Sequence, residues 1–353
     1  LGIYSSEGQL YEPVDQGQMM YYREDKKGRI LEEGINEAGA FSAWMAAGSS
    51  YSTNGLAMIP FYIYYSMFGF QRIGDFAWAA GDMQCQGFLI GATSGRTTLN
   101  GEGLQHQDGH SHILASTIPN CVTYDPTYAY ELAVIIQDGL TRMYEKKEKV
   151  FYYITTLNEN YAHPDMPEGV EEGIRRGIYC LKKSAGKDKP IQLLGCGSIL
   201  RQVEQAAEWL EGKGVSPSVW SVTSFNELRR DGLACEREAL LTAGEKTPEP
   251  YVTAQLKGTA GPIVSATDHM KSYSDQIRTY MPAGRSYHVL GTDGFGRSDT
   301  RAALRRFFEV DWQHVAWAAG YELMKQGDLS SAELEQWRAE LGIDASKPDP
   351  LYS

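Results

Sequence analysis

Hydrophobic and polar positions along this chain fall into blocks of two periods. Gly87–Thr93, Asn120–Asp125 and Val150–Thr156 are short apolar runs, each about one buried strand long. Between the last two, Tyr128, Leu132, Ile135, Ile136, Leu140 and Met143 recur at helical spacing after an Asp-Pro start. That strand, helix, strand order implies a parallel sheet with right-handed crossovers and helices on its faces. Near 160–190 the composition shifts to Pro, Gly, Lys and acidic residues, which predicts a linker. Beyond it, 190–198 reads as a strand and turn, 199–214 as a helix ending in glycine, and 218–225, 261–268 and 287–293 as further strands. The expected fold is α/β in two domains, residues 1–167 and 168–353, each a mostly parallel sheet flanked by helices.

A length of 353 residues accommodates about two such domains. The formal charge of −12 argues against a nucleic-acid partner, because phosphate-backbone binders draw affinity from Lys and Arg. The most apolar run, Met58–Phe70, is interrupted by Pro60 and is shorter than the roughly 20 residues of a membrane span. It reads as a core element, and no membrane association is expected. The cysteines (Cys85, Cys121, Cys180, Cys196 and Cys235) are odd in number and form no CxxC pair, which fits a reducing cytoplasm. The chain opens at Leu1 rather than methionine, so a fragment of a longer polypeptide is expected.

Three stretches carry candidate chemistry. Residues 98–113, TLNGEGLQHQDGHSHI, place His106, His110 and His112 at H-x3-H-x-H spacing among glycines. Imidazoles at that spacing suit zinc, but the segment lacks an H-E-x-x-H helix. A polar loop with hydrogen-bonded histidines, or a catalytic loop where His and Glu exchange protons near a ligand, fits as well. Residues 31–50 read as an Ala- and Gly-rich helix in which Glu37 stands between Ile35 and Ala38. A carboxyl desolvated there would disfavour its charged form and could hold a proton near neutral pH. The alternative is a glutamate in a helix's first turn, stabilised by the dipole. Finally, Phe61, Tyr62, Tyr64, Tyr65, Phe68 and Phe70 cluster before Arg72. Such a cluster is either plain core or an aromatic wall for a flat heterocycle.

In this order, the stretches SYSTNGLAMIPFYIYYSMFGFQRIGD, TSGRTTLNGEGLQHQDGHSHI, YYITTLNENY and LGTDGFGRSD resemble the bacterial homodimeric pyruvate dehydrogenase E1 family of thiamine-diphosphate enzymes. The similarity runs over essentially the whole chain, as a pyrimidine-binding domain followed by a transketolase-like C-terminal domain. It implies thiamine-diphosphate-dependent decarboxylation of pyruvate and reductive acetylation of a lipoyl group on the E2 acyltransferase. Glu37 is then similar to the glutamate that hydrogen-bonds N1′ of the aminopyrimidine. Tyr65 and Phe68 resemble the aromatics against that ring, with Arg72 beside them, while Glu102 and His106 match the polar groups near the reacting centre. No firm role passes to His110 or His112, and no metal ligand is assigned in this chain.

One departure matters. The family binds Mg2+ and the diphosphate through a GDG segment and a later Asn, and this chain contains no GDG. The resemblance implies that a diphosphate domain lies upstream on a longer polypeptide. It also implies a homodimer in which the cofactor sits between the pyrimidine domain of one subunit and the diphosphate domain of another. The isolated chain is then expected to be inactive. TDGFGRSD, residues 292–299, has no phosphate-loop spacing and reads as a structural turn, and His269, His288 and His314 as isolated packing or surface residues. Rival readings are a transketolase-type transferase, a hydrolase with zinc on His106, His110 and His112, and a non-catalytic half-subunit that needs a partner.

Overall fold

The computed structural model describes residues 2–14, 23–102 and 104–353. β1 (Ile3–Tyr4) and β2 (Glu24–Asp25) form a small parallel pair at the start. They are followed by α1 (Glu37–Thr53), β3 (Phe61–Tyr65), α2 (Ser66–Asp82), β4 (Phe88–Ala92), α3 (Ser111–Ser116), β5 (Cys121–Tyr124), α4 (Ala129–Leu140) and β6 (Phe151–Thr155). Strands β3, β4, β6 and β5 make a parallel sheet in that order. The pleat of β6 shows how it is filled, since successive side chains point to opposite faces. Phe151 and Tyr153 pack with Phe41, Trp44 and Ile73 under α1 and α2, whereas Tyr152 and Ile154 pack with Val134 and Ile135 of α4 on the other face. Burying one such side chain contributes roughly 1.5–3 kcal/mol.

The second half contains α5 (Glu171–Arg176), β7 (Tyr179–Lys182), β8 (Pro190–Gly195), α6 (Leu200–Gly212), β9 (Ser216–Ser221), α7 (Phe225–Leu241), α8 (Tyr251–Leu256), β10 (Ile263–Ala266), α9 (Lys271–Asp275), β11 (Tyr287–Leu290), α10 (Arg301–Phe307), α11 (Trp312–Gln326) and α12 (Ser331–Leu341). Its sheet runs β11-β10-β8-β9-β7, parallel except for β7 at one edge. Leu200, Val203 and Leu210 of α6 join Val315 and Leu323 of α11 on one face, and Phe225, Leu228 and Val252 of α7 and α8 cover the other. Two mostly parallel, helix-flanked sheets are thus the architecture that the hydrophobic pattern implies. Among the described residues, no helix is long and apolar enough to cross a membrane.

Three sequence expectations need correction. The helix anticipated over 31–50 begins only at Glu37, because Gly34 takes a positive φ of 66° and Asn36 caps the helix by accepting from Gly39 N at 3.1 Å. The apolar run 58–70 is not one core element. It breaks at Ser66 into strand and helix, and Phe61, Ile63 and Tyr65 are 47%, 68% and 41% exposed because β3 is an edge strand. The 160–190 segment is not all linker: α5 forms within it, and β7 joins the second sheet antiparallel to β9.

Candidate functional site

The turn from β3 into α2 positions the first group of side chains. Tyr65 ends the strand, and Phe68 and Arg72 stand one turn apart on the helix, so i and i+4 share a face. The Arg72 guanidinium lies 4.2 Å over the Phe68 ring, a cation–π contact. Its Nη1 donates to Glu37 Oε1 at 2.5 Å. Gly69 lets this helix sit close to the sheet, since a Cβ there would meet Tyr64 Cε2 at 1.9 Å.

The glycine-rich loop supplies the other side. A short 3-10 turn over Leu104–His106 holds the His106 ring edge-on to Phe68 at 5.1 Å and to Tyr65 at 6.1 Å. His106 Nε2 is 3.8 Å from Glu102 Oε2. Glu37, Arg72, Phe68, Tyr65, His106 and Glu102 therefore make one continuous strip. Gly103, within the motif, lies outside the described residues. The strip is open, with 47% of the Arg72 side chain and 46% of that of Glu102 exposed.

The apolar setting that the neighbours of Glu37 suggested in sequence is not formed. Ile35 is 98% exposed and forms no apolar wall, and Glu37 is instead the first residue of α1, with a guanidinium for a partner. The first-turn alternative describes it better, because capping and the helix dipole both favour an acidic residue there. Its field still reaches inward: burial and then the Glu37 carboxylate push the Tyr62 hydroxyl up to about 12.

The three loop histidines diverge. His106 faces the aromatic strip, His110 precedes α3, and His112 is fully buried. Among the described residues these three do not gather as a metal-ligand group, so the rival reading of zinc on them is not supported. The loop is instead tied down from both domains. Gln107 Nε2 donates to Leu99 O at 2.7 Å, while its Oε1 accepts from Arg297 N at 2.8 Å. Ser298 Oγ donates to Gly101 O at 2.7 Å. The 292–299 segment is thus more than a turn, since it buttresses the loop that carries His106.

Beneath the loop lies a polar group that the sequence reading missed. His112 Nε2 is 2.9 Å from Thr155 Oγ1, which donates to Asp125 Oδ1 at 2.6 Å, and His269 Nε2 is 3.3 Å from Asp125 Oδ2. His269, anticipated as an isolated residue, is 1% exposed and stands among these groups because the end of β10 meets the end of β5 across the domain junction. Burial opposes the charge of Asp125, but His269 and the hydrogen bonds outweigh it and hold the carboxyl below its usual range. Burial lowers His112 to about 3, and His269 adds to the effect. Burial also opposes the charge on His269, yet Asp125 raises it above the ordinary value. Nearby, Asp268 accepts from Thr97 N at 2.9 Å and from Thr98 Oγ1 at 2.7 Å, a second bond between the halves. An isolated His in the sequence gave no hint of a partner more than a hundred positions away.

Comparison with known proteins defines the class first. The fold is that of transketolase-like α/β proteins: a transketolase from Campylobacter jejuni superposes with a TM-score of 0.61 at 18% identity, covering 90% of this chain and 42% of its own. Residues 1–164 match the family "Pyruvate dehydrogenase E1 component middle domain", and residues 177–311 match "Transketolase-like TK C-terminal domain". The pyruvate dehydrogenase E1 component of Pseudomonas aeruginosa is 61% identical over 99% of this chain and 40% of its own length. That of Escherichia coli K12 is 61% identical over 99% of this chain and 39% of its own. The chain belongs to the pyruvate dehydrogenase E1 family and spans about 40% of the length of these relatives.

Proposed function

We propose that this chain supplies the pyrimidine side of a thiamine-diphosphate site in a pyruvate dehydrogenase E1 enzyme. The carrying observation is the strip itself: an acidic side chain at a helix start, two aromatic rings, and a histidine–glutamate pair, contiguous on one open face. These groups fit an aminopyrimidine, which needs a carboxylate at one ring nitrogen and apolar faces against the ring. Glu37 Oε2 has no hydrogen bond among the described residues, so one oxygen is left for that nitrogen. When bound, thiamine diphosphate supplies the electron sink for decarboxylation.

In this reading the chain's own side chains orient and move protons. Glu37 sets the protonation of the aminopyrimidine, and Arg72 fixes Glu37 in place. Tyr65 and Phe68 hold the ring. His106, oriented by Glu102, gives or takes a proton at the keto oxygen of pyruvate, where charge develops. Mg2+ and the diphosphate belong to a domain outside this chain, and the acetyl group passes to the lipoyl group of E2. A homodimer in the cytoplasm, with the domain boundary at residue 167, completes the proposal.

The test uses the full-length polypeptide, supplied with thiamine diphosphate and Mg2+ and offered pyruvate or a ketose phosphate. Carbon dioxide release from pyruvate that requires the cofactor is expected. Turnover of the ketose phosphate without pyruvate turnover would replace this reading with a transketolase-type transferase.

A further inference from the structure

The buried group at the domain junction has a feature that packing alone leaves unexplained. Three buried polar atoms in it, His112 Nδ1, His269 Nδ1 and Asp125 Oδ2, make no hydrogen bond of good geometry, and Asp125 Oδ2 has only the 3.3 Å ion-pair contact with His269 Nε2. Buried polar atoms are nearly always satisfied, and orphans call for a water or an ion. One donor atom from each residue lies within 4.8 Å of those of the other two, and all three residues are buried.

We propose that His112, Asp125 and His269 form a closed structural site for a zinc-class divalent ion that ties the two sheets together. Tetrahedral zinc with bonds of about 2.0–2.1 Å separates its ligand atoms by roughly 3.3 Å. The Asp125 Oδ2 to His269 Nε2 separation is 3.3 Å, so that edge is already in place.

Hydrogen bonding fixes what His112 offers. Thr155 Oγ1 has a single hydrogen, and the 2.6 Å contact assigns it to Asp125 Oδ1. Thr155 must then accept from His112, so His112 Nε2 bears the proton and Nδ1 presents a bare lone pair. A ligating histidine whose other ring nitrogen donates to a fixed acceptor is the usual supporting arrangement of metal sites. Stacking on Tyr273, at 4.9 Å and 19°, holds the ring plane.

The surroundings suit a cation. Asp108 and Asp268 both act electrostatically on His269 and are themselves buried. Cys196, 1% exposed, lies nearby, and burial and then the Asp125 carboxylate push its thiol up. Two imidazoles and a carboxylate form a nitrogen-rich set that favours zinc over magnesium or calcium, which take oxygen ligands. His112 and Asp125 come from the first sheet's half and His269 from the second, so the ion would act as a clasp. It would be captured as the halves close, because the folded site has no opening to solvent.

The proposal does not depend on the thiamine reading, and neither does its test. Full-length protein carrying no affinity histidines is unfolded in chelator and refolded with Zn2+, with Co2+ or without metal. The expected result is about one ion per chain that survives dialysis, visible d–d absorption from the cobalt form, and a higher melting temperature with metal than without. His269→Gln should retain zinc at least about tenfold more weakly. Metal-free protein that folds fully, melts at the same temperature with zinc and shows no cobalt band would overturn it, leaving a water or a bare ion pair in the site. If His269→Gln does not fold, the wild-type refolding series decides alone.

Discussion

Replacing Glu37 by glutamine separates the candidate site from the scaffold that carries it. The Glu37–Arg72 pair lies at the surface, with 47% of Arg72 and 19% of Glu37 exposed, and glutamine keeps the shape and a hydrogen-bond acceptor for Arg72. Exposed pairs contribute about 0–1 kcal/mol, so the stability lost should not exceed that. At roughly 2–4 °C per kcal/mol for domains of this size, the melting temperature should fall by under about 4 °C. Catalysis should respond very differently. Removing one positioned group at a developing charge costs on the order of 100–1,000-fold in kcat, about 2.7–4 kcal/mol. The assay is pyruvate decarboxylation by the full-length enzyme at saturating thiamine diphosphate, with thermal unfolding of the same samples. A kcat within about threefold of wild type would refute the role given to Glu37. A large drop in melting temperature would show that the pair is structural instead.

Other consequences follow from the same geometry. His106→Asn in the full-length enzyme should lower kcat by roughly 100-fold with little change in cofactor affinity, since its ring touches Phe68 and Tyr65 only at an edge; calorimetric titration of thiamine diphosphate beside the rate separates the two effects. Glu159 ties α10 to the first domain: burial would raise its carboxyl, but Arg305, Arg201 and Arg301 outweigh this and depress it. A depressed folded value contributes stability that is fully present above the unfolded pKa and is lost as the pH falls below about 4.3. The melting-temperature gap between wild type and Glu159→Gln should therefore close in acid, and a constant gap would contradict the ion-pair account. Gly261→Ala should destabilise by about 1–3 kcal/mol or more, measured by denaturant unfolding, because φ is +81° and a Cβ would lie 1.7 Å from Pro190 O.

What the sequence revealed follows from range. β4, β5, β6 and β8 lie inside the apolar runs read as strands, because burial on both faces of a parallel strand leaves a continuous hydrophobic signature. The strip from Glu37 to Glu102 was accessible through resemblance alone, since nothing local links residue 37 to residue 72. The environment of Glu37 was misread because Ile35 looks like a core residue in sequence but precedes the helix and faces solvent. His269 was missed for the converse reason. Its environment is made by β5, α3 and Thr155 of the other half, and no short window contains them. The edge position of β3 was equally hidden, because the alternation of exposed Phe61, Ile63 and Tyr65 uses apolar residues on both faces.

The central claim is that this chain provides one half of a shared site, and complementation between two inactive full-length variants tests it most directly. One variant carries Glu37→Gln, and the other carries an intact pyrimidine side with its diphosphate-binding region disabled. If the cofactor lies between subunits, co-refolding equal amounts should restore about a quarter of wild-type pyruvate turnover, since half the dimers are mixed and each has one complete site. A mixture that stays as inactive as its components, although mixed dimers form, would mean that each site is built within a single chain and would contradict the account.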